Sequence, residues 1–148
     1  MSTLLVIGYG NELRSDDGAG PKVAAAVTAW NSPYVRALAC HQLTPELAEP
    51  IASANAVVFV DATAERVASV QLRPIEAIDA ADVMTHTTDP RALLSLAATV
   101  FGHRPQAWTL TIPVENIEFG DEISDLAAKG IQAALQHIRH LSLLYRLG

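Results

Sequence analysis

The sequence is short of several things, and each shortage closes a class of explanation. It holds one cysteine, Cys40, so no disulfide can form within the chain. No charged start leads into a long apolar segment of the kind a secretory leader requires, and no apolar run approaches the roughly 20 residues that cross a bilayer. A cytoplasmic protein with no membrane partner is expected. Positive charge is scarce: 10 Lys and Arg stand against 16 Asp and Glu, a net charge of -6 that argues against a sequence-independent hold on nucleic acid. Arg14, Lys22 and Arg91 can still form a local basic patch, because net charge describes solubility and not any one face. There is no internal repeat, no low-complexity segment and no P-loop lysine pattern.

What the chain does have is length and apolar content. Its 148 residues are 50% hydrophobic, enough to bury a core as a single domain over residues 1–148 without a structural metal. The stretch from Thr3 to Ala26 organises the rest. An apolar β-branched run, Leu4 to Ile7, ends in Gly8-Tyr9-Gly10-Asn11, passes through Leu13 to Asp16 and Asp17, and enters a helix with Pro21 in its first turn. In a parallel α/β sheet, residues just beyond a strand's carboxyl end line the ligand crevice.

Downstream, Val35 to His41 reads as a second strand, and Thr44 as the N-cap of a helix running to about Ser53. Ala56 to Val60 (AVVFV) is a third strand, ending on Asp61, and Ser69 to Pro74 alternates as an edge strand. Thr88 is placed as the N-cap of a helix from Pro90 to Phe101, closed by Gly102. Trp108 to Ile112 alternates as the last strand, Pro113 to Gly120 is a loop, and Ser124 caps a final helix to about Leu144. The order β-α-β-α-β-β-α-β-α predicts an α/β fold. It is a three-layer α/β/α sandwich around a mostly parallel sheet of about five strands, with room for one antiparallel strand.

Three loops each offer one chemically capable side chain: Asp17 (or Asp16), Asp61 and His86. Two carboxylates and an imidazole make a ligand set for a borderline divalent ion such as nickel or zinc, with positions left open for substrate or water. Such an ion would polarise a carbonyl or acidify bound water, so no Ser or Cys nucleophile is needed. Plainer roles compete. Asp16 and Asp17 can cap the following helix, and adjacent side chains in a turn point apart, so at most one of them faces a site. A lone loop histidine such as His86 is by itself weak evidence. Asp61, against a buried strand end, has to be paired, capping or functional. His41, His103, His137 and His140 read as background, and Cys40 as a small buried hydrophobe.

The run Ile7 to Gly20, IGYGNELRSDDGAG, resembles the GxGNxLxxDDGxG motif of the endopeptidases that mature nickel-iron hydrogenases. Phe59-Val60-Asp61-Ala62 and Thr85-His86-Thr87 follow in that family's order and approximate spacing, so the resemblance spans essentially the whole chain. It implies removal of a C-terminal extension from a hydrogenase large-subunit precursor once nickel is inserted. It further implies that Asp17, Asp61 and His86 contact the metal, with Asp16 as a substitute for Asp17. A site of carboxylates without thiolates holds metal loosely, so the nickel is expected to arrive with the precursor and not as a permanent cofactor. Gly8, Gly10 and Asn11 would shape the loop. The segments Gln42 to Glu46 and Val114 to Gly120 are expected to influence partner choice.

Other functions fit less of the chain. A dinucleotide fingerprint fails at its third glycine, where Leu13 stands, and the helix begins too late to cradle a pyrophosphate. A receiver-like signalling domain would place its acidic residues nearer the first strand, and a lysine where the last strand ends in Pro113-Val114. An inactive relative that only escorts the precursor is the third alternative.

Overall fold

In the computed structural model, which describes residues 3–85 and 88–146, the apolar runs become the centre of one sheet. Strand β1 (Leu4–Tyr9) is flanked by β2 (Val35–Cys40) and β3 (Ala56–Thr63). Beyond β3 lie β5 (Gln106–Pro113) and then β4 (Gln71–Ile75), giving the order β2-β1-β3-β5-β4. The first four strands in that order run parallel and β4 is antiparallel to β5. The expected three-layer, mostly parallel five-stranded fold is therefore what forms.

Period-two alternation sorts side chains onto the two faces. Leu4, Val6, Val58, Val60, Leu110 and Ile112 pack with helices α1 (Ala19–Ala29) and α4 (Asp125–Arg146). Leu5, Ile7, Val57 and Phe59 pack on the other face with α2 (Ala48–Ala52) and α3 (Pro90–Phe101). With both faces covered, the central strands need no polar alternation. A consequence matters for function: Tyr9 and Asp61 continue the Ile7 and Phe59 side of their strands, so both project toward the α3 layer at the sheet's carboxyl end.

Helix α1 lies so close to the sheet that side chains are excluded at the contact. A Cβ on Gly20 would stand 2.6 Å from the carbonyl oxygens of both Tyr9 and Val60, and one on Gly8 would stand 2.0 Å from the Gly20 carbonyl oxygen. This approach seats the start of α1 directly above the ends of β1 and β3.

Local details differ from the sequence-based expectations. Asp89, not Thr88, caps α3: its Oδ1 accepts from the Arg91 N–H at 2.9 Å, because a carboxylate beside the helix N-terminus is a stronger acceptor than a hydroxyl. Thr44 precedes a 3-10 turn (Pro45–Leu47) and contributes its backbone carbonyl, with no side-chain cap. Helix α1 starts at Ala19, after a 3-10 turn over Ser15–Gly18. Ser124 does cap α4, accepting from the Ala127 N–H at 3.2 Å, and Gly102 closes α3 in the left-handed conformation (φ 77°).

Candidate active site

The loop after β1 is shaped by its own polar atoms. Gly10, at φ 148°, turns the chain where an added Cβ would meet the Asp17 carbonyl oxygen at 2.0 Å. Asn11 then works in both directions: its Oδ1 accepts from the Leu13 N–H at 2.9 Å, and its own N–H donates to Asp17 Oδ2 at 2.8 Å. Ser15 is held at φ 53°, a conformation that disfavours most side chains. Its N–H donates to the Gly120 carbonyl and its hydroxyl to the Glu118 carbonyl, both at 2.8 Å, which is what fixes it there.

The two adjacent aspartates have separate employments. Asp16 is fully buried, and its oxygens accept from the N–H groups of Glu115 (2.9 Å), Asn116 (3.1 Å) and Ser124 (2.8 Å) and from the Ser124 hydroxyl (2.6 Å). Burial alone would raise its pKa. The Ser124, Glu115 and Asn116 donors outweigh it and hold the carboxyl below the ordinary 3.8. Asp16 thus locks the β5–α4 loop onto the first loop. Asp17 is half-buried and accepts from Asn11 with one oxygen, and its charge is felt by Asp61.

Asp61 sits at the carboxyl end of β3, one residue beyond the Gly8–Val60 pair, which makes Tyr9 its neighbour across the β1–β3 ladder. Its pKa is raised from 3.8 to about 6. Burial is the main cause and the Asp17 charge adds to it, while hydrogen bonds from the Tyr9 hydroxyl and the Ala62 N–H pull the other way. The same contact appears from the other side: the Tyr9 phenol is pushed far up, first by burial, then by the charge of Asp61, the hydrogen bond to it, and the nearby Asp89 and Cys40. Two carboxylates with mutual repulsion, one of them desolvated, form a place where a bound cation is electrostatically welcome.

Of the residues picked out from sequence, Asp17 and Asp61 lie near enough at the sheet's carboxyl end for the charge of Asp17 to raise the pKa of Asp61. His86 lies outside the described residues. Among the described residues no three His, Cys, Asp or Glu side chains converge tightly enough to hold a metal ion by themselves. Asp89 caps α3, and its charge reaches Tyr9, the partner of Asp61, so the α3 entry lies near the Tyr9–Asp61 contact. Gly10, Asn11 and Leu13 line a cleft of about 360 Å³ together with Cys40 and His41 at the end of β2. Cys40 is half-buried, with its thiol pKa pushed up by burial, the opposite of an activated nucleophile. His103 bonds the Ala54 carbonyl at 3.1 Å, and His137 and His140 lie on α4 away from this cleft.

Tyr9, which hydrogen-bonds Asp61, is not among the residues that the sequence singles out. Its signal is strand parity: it stands two residues after Ile7, as Asp61 stands two after Phe59. No helix among the described residues is long and apolar enough to cross a membrane.

No family model matches the chain, and no curated protein matches it by sequence. Solved structures do. The chain is similar in fold to the NiFe hydrogenase maturation protease HybD from Thermococcus kodakarensis, with a TM-score of 0.74 at 22% identity over 95% of this chain and 99% of that one. It is similar also to the hydrogenase maturation protease HycI of the same organism (TM-score 0.73, 21% identity, 95% and 92% covered). The hydrogenase maturating endopeptidase HybD from E. coli has a TM-score of 0.69 at 20% identity, with 92% and 89% covered. At these identities the likeness establishes a shared fold over nearly the full length of each chain.

Proposed function

We propose that this chain is an endopeptidase that removes the C-terminal extension of a nickel-iron hydrogenase large-subunit precursor after nickel insertion. The observation that carries the proposal is the Asp17–Asp61 pair: two carboxylates from separate loops brought together at the crevice of a fold shared with maturation proteases. In this proposal Asp17, Asp61 and His86 contact the nickel, which belongs to the substrate.

The donor chemistry fits that division of labour. Aspartate oxygens and one imidazole form a site without thiolates, suited to meeting an ion already held by another protein better than to keeping one alone. The raised pKa of Asp61 has the same sense: an empty site suffers from its own negative charge, and an incoming cation relieves it. A precursor without nickel would bring no such relief, so cleavage would wait for metal insertion. Asp16 is left out of the contact set because its oxygens already hold four donors of the β5–α4 loop. Gly8, Gly10 and Asn11 serve as loop support.

Substitution tests the assignment. Asp61→Ala and His86→Ala are expected to keep the fold, read by circular dichroism, and to abolish removal of the extension. Normal processing by both variants would remove the basis for the assignment.

A further inference from the structure

The β5–α4 loop combines rigidity with apolar exposure, which folding by itself does not explain. Phe119 is 86% exposed and Leu13 is 70% exposed. They stand on adjoining backbone: the Gly120 N–H donates to the Leu13 carbonyl at 2.9 Å, and Arg14 and Gly120 form a parallel β-bridge. Ile117 is also exposed, and its carbonyl accepts from Arg14 Nε at 3.0 Å. A lone exposed apolar residue is ordinary, but here three share two hydrogen-bonded loops.

These side chains are presented by a fixed support. The buried Asp16 carboxylate spends four hydrogen bonds on the loop's backbone and on Ser124, and Ser15 adopts a disfavoured φ to bond Glu118 and Gly120. An aromatic residue on a preorganised loop loses little conformational entropy when covered, which is how interface hot spots are built. Apart from Arg14, which bonds the Ile117 carbonyl, the surroundings are acidic. Glu115, Glu118, Asp121, Glu122 and Asp125 are all exposed within one short segment, and none belongs to an ion pair among the described residues. The patch is also continuous with the candidate site. Asp17 accepts from the Asn11 N–H, Asn11 Oδ1 from the Leu13 N–H, and the Leu13 carbonyl from the Gly120 N–H, an unbroken chain from metal-site carboxylate to the residue after Phe119.

We infer that the Leu13–Phe119 ridge is a docking surface for the folded body of the protein substrate, which presents an apolar socket rimmed by basic side chains. The inference rests on the function proposed above and adds where the substrate is gripped. Charge decides among occupants: a second copy of this chain would set the same acidic segment against itself if the contact were symmetric, whereas a basic rim is attracted. Leu13 lies on the site loop itself, so a precursor seated there has its body beside the cleft into which its C-terminal segment must reach.

The test measures binding of the nickel-loaded large-subunit precursor from the same organism to the parent chain, Phe119→Ala, Phe119→Trp and the double variant Glu118→Lys/Glu122→Lys. Thermal denaturation checks that each is folded. Phe119→Ala is expected to weaken binding about ten-fold or more, with Phe119→Trp restoring it. The double charge reversal is expected to slow association and flatten its salt dependence. Parent and Phe119→Ala binding alike, while the parent still processes the precursor, overturns the docking surface and leaves the endopeptidase proposal standing. A parent chain that neither binds nor cuts the precursor overturns both. A parent dimer in sedimentation that Phe119→Ala dissolves overturns the inference by assigning the ridge to self-association.

Discussion

Asp16 and Ser124, 108 residues apart in sequence, are joined by two hydrogen bonds, 2.8 Å from the serine N–H and 2.6 Å from its hydroxyl. That junction closes the site loop against the start of α4. Ser124 in turn caps α4, so one buried carboxylate orders a loop and a helix end together. Asp16→Ala would leave three backbone N–H groups and a hydroxyl without their acceptor, a destabilisation of about 3 kcal/mol or more. Urea denaturation measures it. Because the Asp16 pKa is lowered on folding, its stabilisation is fully present above the ordinary value of 3.8 and is lost as pH falls through the lower folded value. The variant should therefore lose the parent's acid-side decline attributable to this group.

Asp61 has the opposite linkage. Its pKa rises from 3.8 to about 6 on folding, so the native state binds the extra proton between those values and stability falls as pH rises across that window. Above pH 6 the ionised carboxylate is a burden, moderated by its partial exposure. Asp61→Asn is expected to stabilise the chain at pH 7 to 8 by about 1 to 2 kcal/mol while abolishing processing. Melting temperature followed from pH 4 to 8 checks the sign: the gap between variant and parent should open as pH rises.

Tyr9 holds Asp61 in place and favours its ionised form. Tyr9→Phe removes the donor and keeps the ring, so Asp61 should titrate above about 6, as followed by its carboxyl NMR signal. Processing should slow at neutral pH and recover in part at higher pH, where the carboxylate is restored. A purely structural role for the phenol would move stability and leave that pH profile unchanged.

Gly20 tests the close packing of α1. An added Cβ would stand 2.6 Å from two backbone oxygens, which cannot rotate away, so Gly20→Ala should destabilise by about 3 kcal/mol or more. Gly102→Ala is the contrast, since that position has open space and only its φ of 77° to resist, and about 1 kcal/mol is expected. Chemical denaturation of the two variants side by side separates contact from conformation.

The fold was legible because its signals are local and repeated. Leu4 to Ile7 and Ala56 to Val60 lack polar alternation for a physical reason, burial on both faces, and Ser69 to Pro74 alternates because β4 has an edge position. Capping was legible at Ser124 and Gly102 and misread at Thr88, where the next residue offered a charged acceptor. The site was legible only as candidate residues on loops. Which of Asp16 and Asp17 would be engaged elsewhere depends on Glu115, Asn116 and Ser124, about a hundred residues away, and no local pattern carries that pairing. Tyr9 escaped for the same reason: its importance comes from the β1–β3 register and not from its own neighbours in sequence.

In the proposed function, cleavage requires nickel carried by the substrate. Purified chain is mixed with nickel-loaded or nickel-free large-subunit precursor from the same organism, and the precursor's mass is followed over time. Loss of a C-terminal peptide from the nickel-loaded form alone is the expected result. Equal cleavage of both forms, or none of either by a folded enzyme, would contradict it.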